Sequence, residues 1–363
     1  MKVLHITTVH QRYDTRIFHR ECINLSNITP ITLLVSDGQG NEEVNNVKII
    51  DVCSGVGRIS RCKSIIAYLL KINDKNCTVL HLHDPEIYFF AIFFKILGFK
   101  VVLDIHEDYE KQILLKPYIP STFLKKIISF SYGICEKILL NFVDFCVVPQ
   151  PSFLKKNNSI LVGNFMSNKE VIELNKVSIY KKERAFIYAG GISEERGLIN
   201  MLVLAEQLKH HNISLKIAGS FQNKKLENQA KEHAGWNNVD YLGFLDRKQL
   251  LIEQKQCLAA IILFNNVGQY YLSYSVKLFE YTASQIPVIM PDFGEWISVN
   301  SEYGIGINVD VNNINDDDID NVLKMSGDED FLFRAKHFLE DHLLDENIAR
   351  LYDRYLGLFN GNR

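Results

Sequence analysis

The sequence predicts an α/β protein built from two doubly wound domains, and three observations predict it. Short apolar, β-branched runs alternate with amphipathic helical patterns, the signature of βαβ units and a parallel sheet. The alternation breaks once, after residue 150, and then restarts. With 363 residues and 47% hydrophobic side chains, the chain holds enough apolar material for two cores.

Taken in order, the first set of strands is KVLHITT (2–8), ITLLVS (31–36), VKIIDV (47–52), TVLHLH (78–83), KVVLDI (100–105) and FCVVPQ (145–150). The most apolar window, 87–105, is interrupted by Lys95 and Lys100 and split by Gly98, so it reads as a buried helix followed by a buried strand, not a membrane span. Pro149, Pro151, Asn157, Asn158 and Gly163 then break the periodicity, which places the domain joint between Pro149 and about Arg184. The second set is AFIYAGG (185–191), SLKIAGS (214–220), NVDYLGF (238–244), LAAIILF (258–264) and IPVIMP (286–291). The acidic run at 308–320 reads as a solvated loop and helix start. The last helix, DENIARLYDRYLGLF, carries apolar residues at three- and four-residue spacings and could pack back across the joint. The expected domains are 1–165 and 184–340, with 341–363 as a terminal helix returning to the first.

Composition excludes several classes. A formal net charge of −3 with 23% charged residues leaves no electrostatic footprint for nucleic acid. Seven cysteines without a CxxC pair suit reduced thiols. The start, MKVLHITTVHQRYD, lacks a signal-peptide apolar stretch and reads as a first strand, so a cytoplasmic location is expected.

Ligands of open parallel sheets bind beyond the carboxyl ends of the strands. In the first domain that rule selects His10, Gln11, Arg12, Tyr13, Asp14, Thr15 and Arg16 after the first strand, then His83, Asp84 and Glu86, then His106, Glu107 and Asp108. His81 and His83 share a strand face, and Asp84 or His106 could complete a metal-ligand set. Yet His81 lies inside the strand, where a hydrogen-bonded core histidine is commoner, and the spacing specifies no coordination geometry. No metal is expected. In the second domain, YAGGISEERGLINML (188–202) is a strand, a glycine turn through Gly190 and Gly191, and a helix opening at Arg196 and Gly197. Helix-start amides and a forked guanidinium suit a phosphate or diphosphate, although paired glycines also make plain tight turns. Lys277 and Glu280, three apart on a helix, are either a surface salt bridge or a phosphate and ribose contact.

Together, VHQRYDTRIFHRE, HLHDPE, DIHEDY, the glycine turn followed by RG, and KLFEYTASQIPVI resemble the motifs of GT-B glycosyltransferases of the GT4 type, in the bacterial polysaccharide group. The resemblance implies two Rossmann-like domains facing each other across a cleft. The second would hold a nucleotide-sugar, UDP- or GDP-linked, and the first an acceptor. It implies that Arg196 contacts the donor diphosphate, Glu280 the ribose, Gly243 and Phe244 the base, and His106 the transferred sugar and β-phosphate. Gly219 and Leu278 would line the donor site with Gly190, Gly191 and Lys277. Leu272 stands where the family has the first glutamate of E-x7-E, and Gly191 where many members have a second arginine; Lys277 would replace that charge.

The resemblance implies retaining glycosyl transfer in cell-surface polysaccharide synthesis. His106, Arg196 and Lys277 would carry the chemistry, with no cofactor beyond the nucleotide-sugar substrate. The acceptor would be a saccharide or polyprenyl-linked saccharide met by His10, Arg12, Asp14, Arg16, His83, Asp84, Glu86, Glu107 and Asp108. A nucleotide-sugar epimerase of the same architecture and a non-catalytic nucleotide-sugar binder are the alternatives. The segment 116–142 mixes lysines with bulky apolar residues. It suits either the anionic inner face of the cell membrane or an ordinary core-packing helix.

Overall fold

The computed structural model describes residues 1–360 except 53–56, 107, 116–118, 155–157, 178–180 and 272–274. It divides into two units, Met1–Asn164 with Leu344–Arg363, and Phe165–Leu343.

The first unit holds eight described strands: β1 (Lys2–Ile6), β2 (Ile31–Val35), β3 (Glu42–Val44), β4 (Val47–Asp51), β5 (Thr78–Leu82), β6 (Lys100–Asp104), β7 (Phe145–Val148) and β8 (Ser159–Leu161). They form one sheet in the order β3-β4-β2-β1-β5-β6-β7-β8, parallel except for β3. The strand order reverses between β1 and β5, so the loops after these two strands flank the crevice where such sheets bind ligands. β5 and β7 are buried along their whole length, as both-face-covered parallel strands require.

The second unit holds β9 (Ala185–Ala189), β10 (Ser214–Ala218), β11 (Val239–Gly243), β12 (Ala259–Ile261), β13 (Val288–Pro291) and β14 (Gly306–Val309). Their order, β11-β10-β9-β12-β13-β14, is all parallel and reverses between β9 and β12. The glycine turn predicted from the sequence follows β9, at that reversal.

Two features depart from expectation. The window 87–105 is not a wholly buried helix and strand: two short helices, Pro85–Tyr88 and Ala91–Ile96, precede β6, and Phe89, Phe93 and Ile96 are exposed. A six-residue helix buries one stripe, here Ala91 and Phe94, and leaves the rest outside. β3, β8 and β14 were not foreseen, because each is three or four residues long and is defined by pairing with a neighbour. The final helix, Leu344–Asn360, belongs to the first unit, burying Leu344, Ile348, Leu351 and Tyr355 on one stripe.

Candidate functional site

The second unit supplies the more complete constellation. β9 runs into Gly190, whose φ of 139° and crowded position both demand glycine: a Cβ there would lie 2.4 Å from Lys277 Cε and 2.6 Å from Nζ. A Cβ on Gly191 would lie 2.7 Å from Arg196 Nη1. The two glycines thus admit two cations against one stretch of backbone. Arg196 is oriented by the Gly191 carbonyl, 3.2 Å from Nη1, and by the Tyr270 hydroxyl, 3.4 Å from Nε. The Lys277 ammonium sits 5.6 Å from the Tyr188 ring centre and 5.5 Å from that of Phe264. Burial, reinforced by the nearby Arg196 charge, depresses Lys277 to about 7. An ammonium so placed is short of negative charge.

The helix Leu198–Leu208 starts here, capped by Gly197 in the left-handed conformation and with no side-chain cap. Its first turn therefore presents amides and the positive end of the helix dipole next to both cations. Gly219 packs against the same turn: its Cβ would meet the Gly190 carbonyl at 1.9 Å, and its amide donates to the Gly243 carbonyl at 2.7 Å. Phe244 beyond it is 83% exposed. Glu280 is half-buried one turn after Lys277. Leu278 departs from its expected role, since its side chain is wholly buried in the core. Leu272 lies outside the described residues.

In the first unit the sequence-selected residues separate into two groups. His5 pairs in register with His81 across β1 and β5, which sets their tilted rings 4.6 Å apart and brings His83 to 2.9 Å from His5. Asp104 ends β6 and is gripped by Arg16 through two bonds of 3.0 and 2.7 Å. His83 Nδ1 lies 3.1 Å and His106 Nε2 3.2 Å from the same carboxylate oxygen. Burial opposes charge on Asp104, but the Arg16 guanidinium outweighs it and holds the carboxyl well below the usual range. Burial pushes Glu21 well above its usual value and His5 and His81 well below theirs. As a charged acceptor, Asp104 takes the N–H of His83 Nδ1, and the same nitrogen lies 3.2 Å from His106 Nε2, which ties the second ring to the pair. His106 is then neutral, depressed by burial to about 3, with its Nδ1 uncommitted to Asp104.

This buried network corrects several expectations. His83 and Asp84 are 0% exposed, so neither presents itself to a bound sugar. Asp84 instead accepts from the Thr7 hydroxyl at 2.8 Å and the Thr8 amide at 2.5 Å, tying the loop after β1 to the end of β5. Arg12 is consumed by Asp37 and Glu42, and Arg16 by Asp104, the Val162 carbonyl and Asn164. Asp14 caps the following helical turn at the Arg16 and Ile17 amides, and Asp108 does the same at Lys111. Glu86 lies 3.7 Å from Arg58. Glu107 falls outside the described residues. His10, with its side chain 31% exposed, and His106, 10% exposed, stack 5.3 Å apart, and Asp14, Asp108 and Glu86 are also partly exposed. Asp14 raises His10 from its ordinary value.

Among the described residues, two sets of side-chain atoms converge closely enough to surround an ion, His5, Glu21, His81 and His83, and His83, Asp104 and His106. Arg16 balances Asp104 and the Tyr355 hydroxyl lies 2.6 Å from His81 Nδ1, while burial pushes the Glu21 carboxyl well above its usual range and His5 Nε2, His81 Nε2 and both Glu21 oxygens have no hydrogen-bond partner among the described residues. The sequence reading missed Asp104, Glu21 and Tyr355 here, and Tyr188, Phe264 and Tyr270 around the cations. Asp104 was findable, two residues before His106 and hence on the same strand face. Tyr270 and Tyr355 arrive through tertiary packing alone.

Residues 170–335 match the family "Glycosyl transferases group 1". No curated protein matches the chain at the sequence level. Among solved structures, a glycosyltransferase from Rickettsia africae is similar at a TM-score of 0.74 and 11% identity, covering 99% of each chain. Sucrose-phosphate synthase from Thermosynechococcus elongatus is similar at 0.69 and 13%, again covering 99% of each. HepE from Anabaena, solved in complex with UDP, is similar at 0.64 and 10%, covering 98% of this chain and 100% of its own. These likenesses establish the fold as GT-B, with two Rossmann-like domains.

Proposed function

We propose that this chain, a GT-B protein with a glycosyl transferases group 1 region, transfers a sugar with retention from a nucleoside diphosphate donor to a saccharide or lipid-linked saccharide. The observation that carries the reading is the pairing of Arg196 and Lys277 against the Gly190–Gly191 turn, beside an uncapped helix start. The leaving group in such a transfer is a nucleoside diphosphate. Fixed cations and amides aimed at it lower the barrier where negative charge develops. UDP is the diphosphate favoured by the likeness to HepE, and Glu280 is the group available to a ribose. The neutral His106, held through Nε2 against His83 Nδ1, is assigned to the reacting sugars through its Nδ1. The product would serve cell-surface polysaccharide synthesis on the cytoplasmic side of the membrane.

Incubation with UDP-, GDP- and ADP-sugars, with and without a polyprenyl-linked saccharide, tests this directly. Acceptor-dependent nucleotide release is the expected result; an isomerised donor, or binding without release, would replace the reading with epimerase or binder.

Lys277 adds a pH signature. At about 7 in the free protein, the ammonium is half-neutral there, and a bound diphosphate raises it by supplying the missing negative charge. Binding above pH 7 therefore takes up a proton, and affinity falls as pH rises, by up to about tenfold per unit between 7 and 9. Calorimetry with UDP-glucose in buffers of different ionisation enthalpy measures the uptake. Lys277→Gln should flatten the dependence, and a wild-type affinity constant across that window would remove the role.

A further inference from the structure

The helix Thr122–Leu140 is inside out. Its buried positions are Ser129, Gly133, Glu136 and Leu139, three of them polar or lacking a side chain. Its exposed positions include Phe123 at 73%, Ile127 at 46%, Phe130 at 67%, Ile134 at 44% and Ile138 at 49%. These five recur every three or four residues and so form one apolar stripe along the whole helix, about 28 Å at 1.5 Å per residue. The packing against the body explains the reversal. The Ser129 hydroxyl donates to the Glu110 carbonyl at 2.7 Å, and Gly133 makes room for the Glu110 carboxylate, 2.6 Å from where a Cβ would stand. The apolar side is not this unit's core. Phe142, just past the helix end, and Phe89, edge-on to Tyr132 at 6.3 Å, add exposed rings next to it.

We propose that this stripe is a membrane-docking surface, the helix lying in the headgroup plane of an anionic bilayer with its apolar side in the acyl boundary. Charge selects the occupant. Lys126 and Lys137 fall eleven positions apart, three helical turns, and border one edge of the stripe. The only carboxylate on the helix, Glu136, is buried on the opposite side. A second copy paired through the same stripe would set lysines against lysines with no acid on either helix to answer them. Anionic headgroups answer them, and long lysine stems reach such headgroups while the apolar side chains enter below. No described helix is long and apolar enough to cross a membrane, so the helix lies on the surface. The surface stands independently of the transferase reading, although it would bring the chain to a lipid-linked acceptor.

The test is flotation of the full chain with vesicles of phosphatidylcholine alone or with about one-third phosphatidylglycerol, at low and high salt. The protein is expected to float with the anionic vesicles, less so in high salt. Phe123→Ser/Ile127→Ser/Phe130→Ser should abolish flotation, and Lys126→Glu/Lys137→Glu should weaken it by about tenfold or more. All these positions are exposed, so melting temperature and UDP-glucose affinity should stay at wild-type values, which separates loss of docking from loss of fold or donor binding. Wild-type protein left behind by both vesicle types overturns the proposal. So does a concentration-dependent dimer, seen by sedimentation, that the apolar variant abolishes.

Discussion

Arg196→Ala is expected to lower turnover by about two to three orders of magnitude, the scale seen when one preorganised donor is removed from a site of developing charge. The guanidinium is held by the Gly191 carbonyl and the Tyr270 hydroxyl, so its direction is set before any ligand arrives. No reorganisation is then needed as the donor bond breaks. Lys277 cannot compensate, because losing Arg196 removes the repulsion that depresses it but leaves one cation where two negative charges must be met. Arg196→Lys should recover part of the loss, since it restores charge without the planar fork. Steady-state kinetics with the best donor, together with UDP affinity by calorimetry, give the result. Turnover within threefold of wild type in the alanine variant would move the diphosphate site elsewhere.

Arg16→Met is expected to cost about 3–5 kcal/mol of stability at pH 7, because it strands Asp104 as a buried charge with Glu21 close by. The pH dependence distinguishes this cause from simple loss of packing. In the native protein the Asp104 carboxyl lies below its unfolded value, so its stabilisation is complete above about pH 4 and is lost as pH falls through the folded value. Without Arg16, burial dominates and the carboxyl rises above its unfolded value. The folded variant then binds the extra proton, and its stability falls as pH rises through the neutral range. The deficit relative to native should therefore shrink between pH 7 and pH 5. Urea melts at the two pH values measure it; a pH-independent deficit would point to lost packing. Because Asp104 holds His83, which contacts His106, the same variant should change turnover beyond what its stability accounts for.

The strand pattern was legible because buried parallel strands need β-branched, apolar runs wherever they occur. All eleven runs read from the sequence overlap an observed strand within a few residues, from β1 to β13, the LAAIILF run shortening to β12. The glycine turn after β9 and the two cations were legible too, since residue type and strand-end position suffice to mark an anion site. What misled was polarity near a strand end. His83, Asp84, Arg12 and Arg16 have the residue types of a ligand-binding loop, yet each is buried and paired with a partner 21 or more residues away. Only the fold brings those partners together.

The helix Thr122–Leu140 makes the same division sharply. Its amphipathic period and its lysines are written in the residue order, and either of two outcomes was compatible with them. Which face met the protein depended on the shape and polarity offered by the helix Tyr109–Leu115, whose Glu110 accepts Ser129 and fills the space at Gly133. Periodicity establishes that a helix has two faces, a local property of chain geometry. Which of them is inside is decided by contacts distant in sequence, and so by tertiary structure alone.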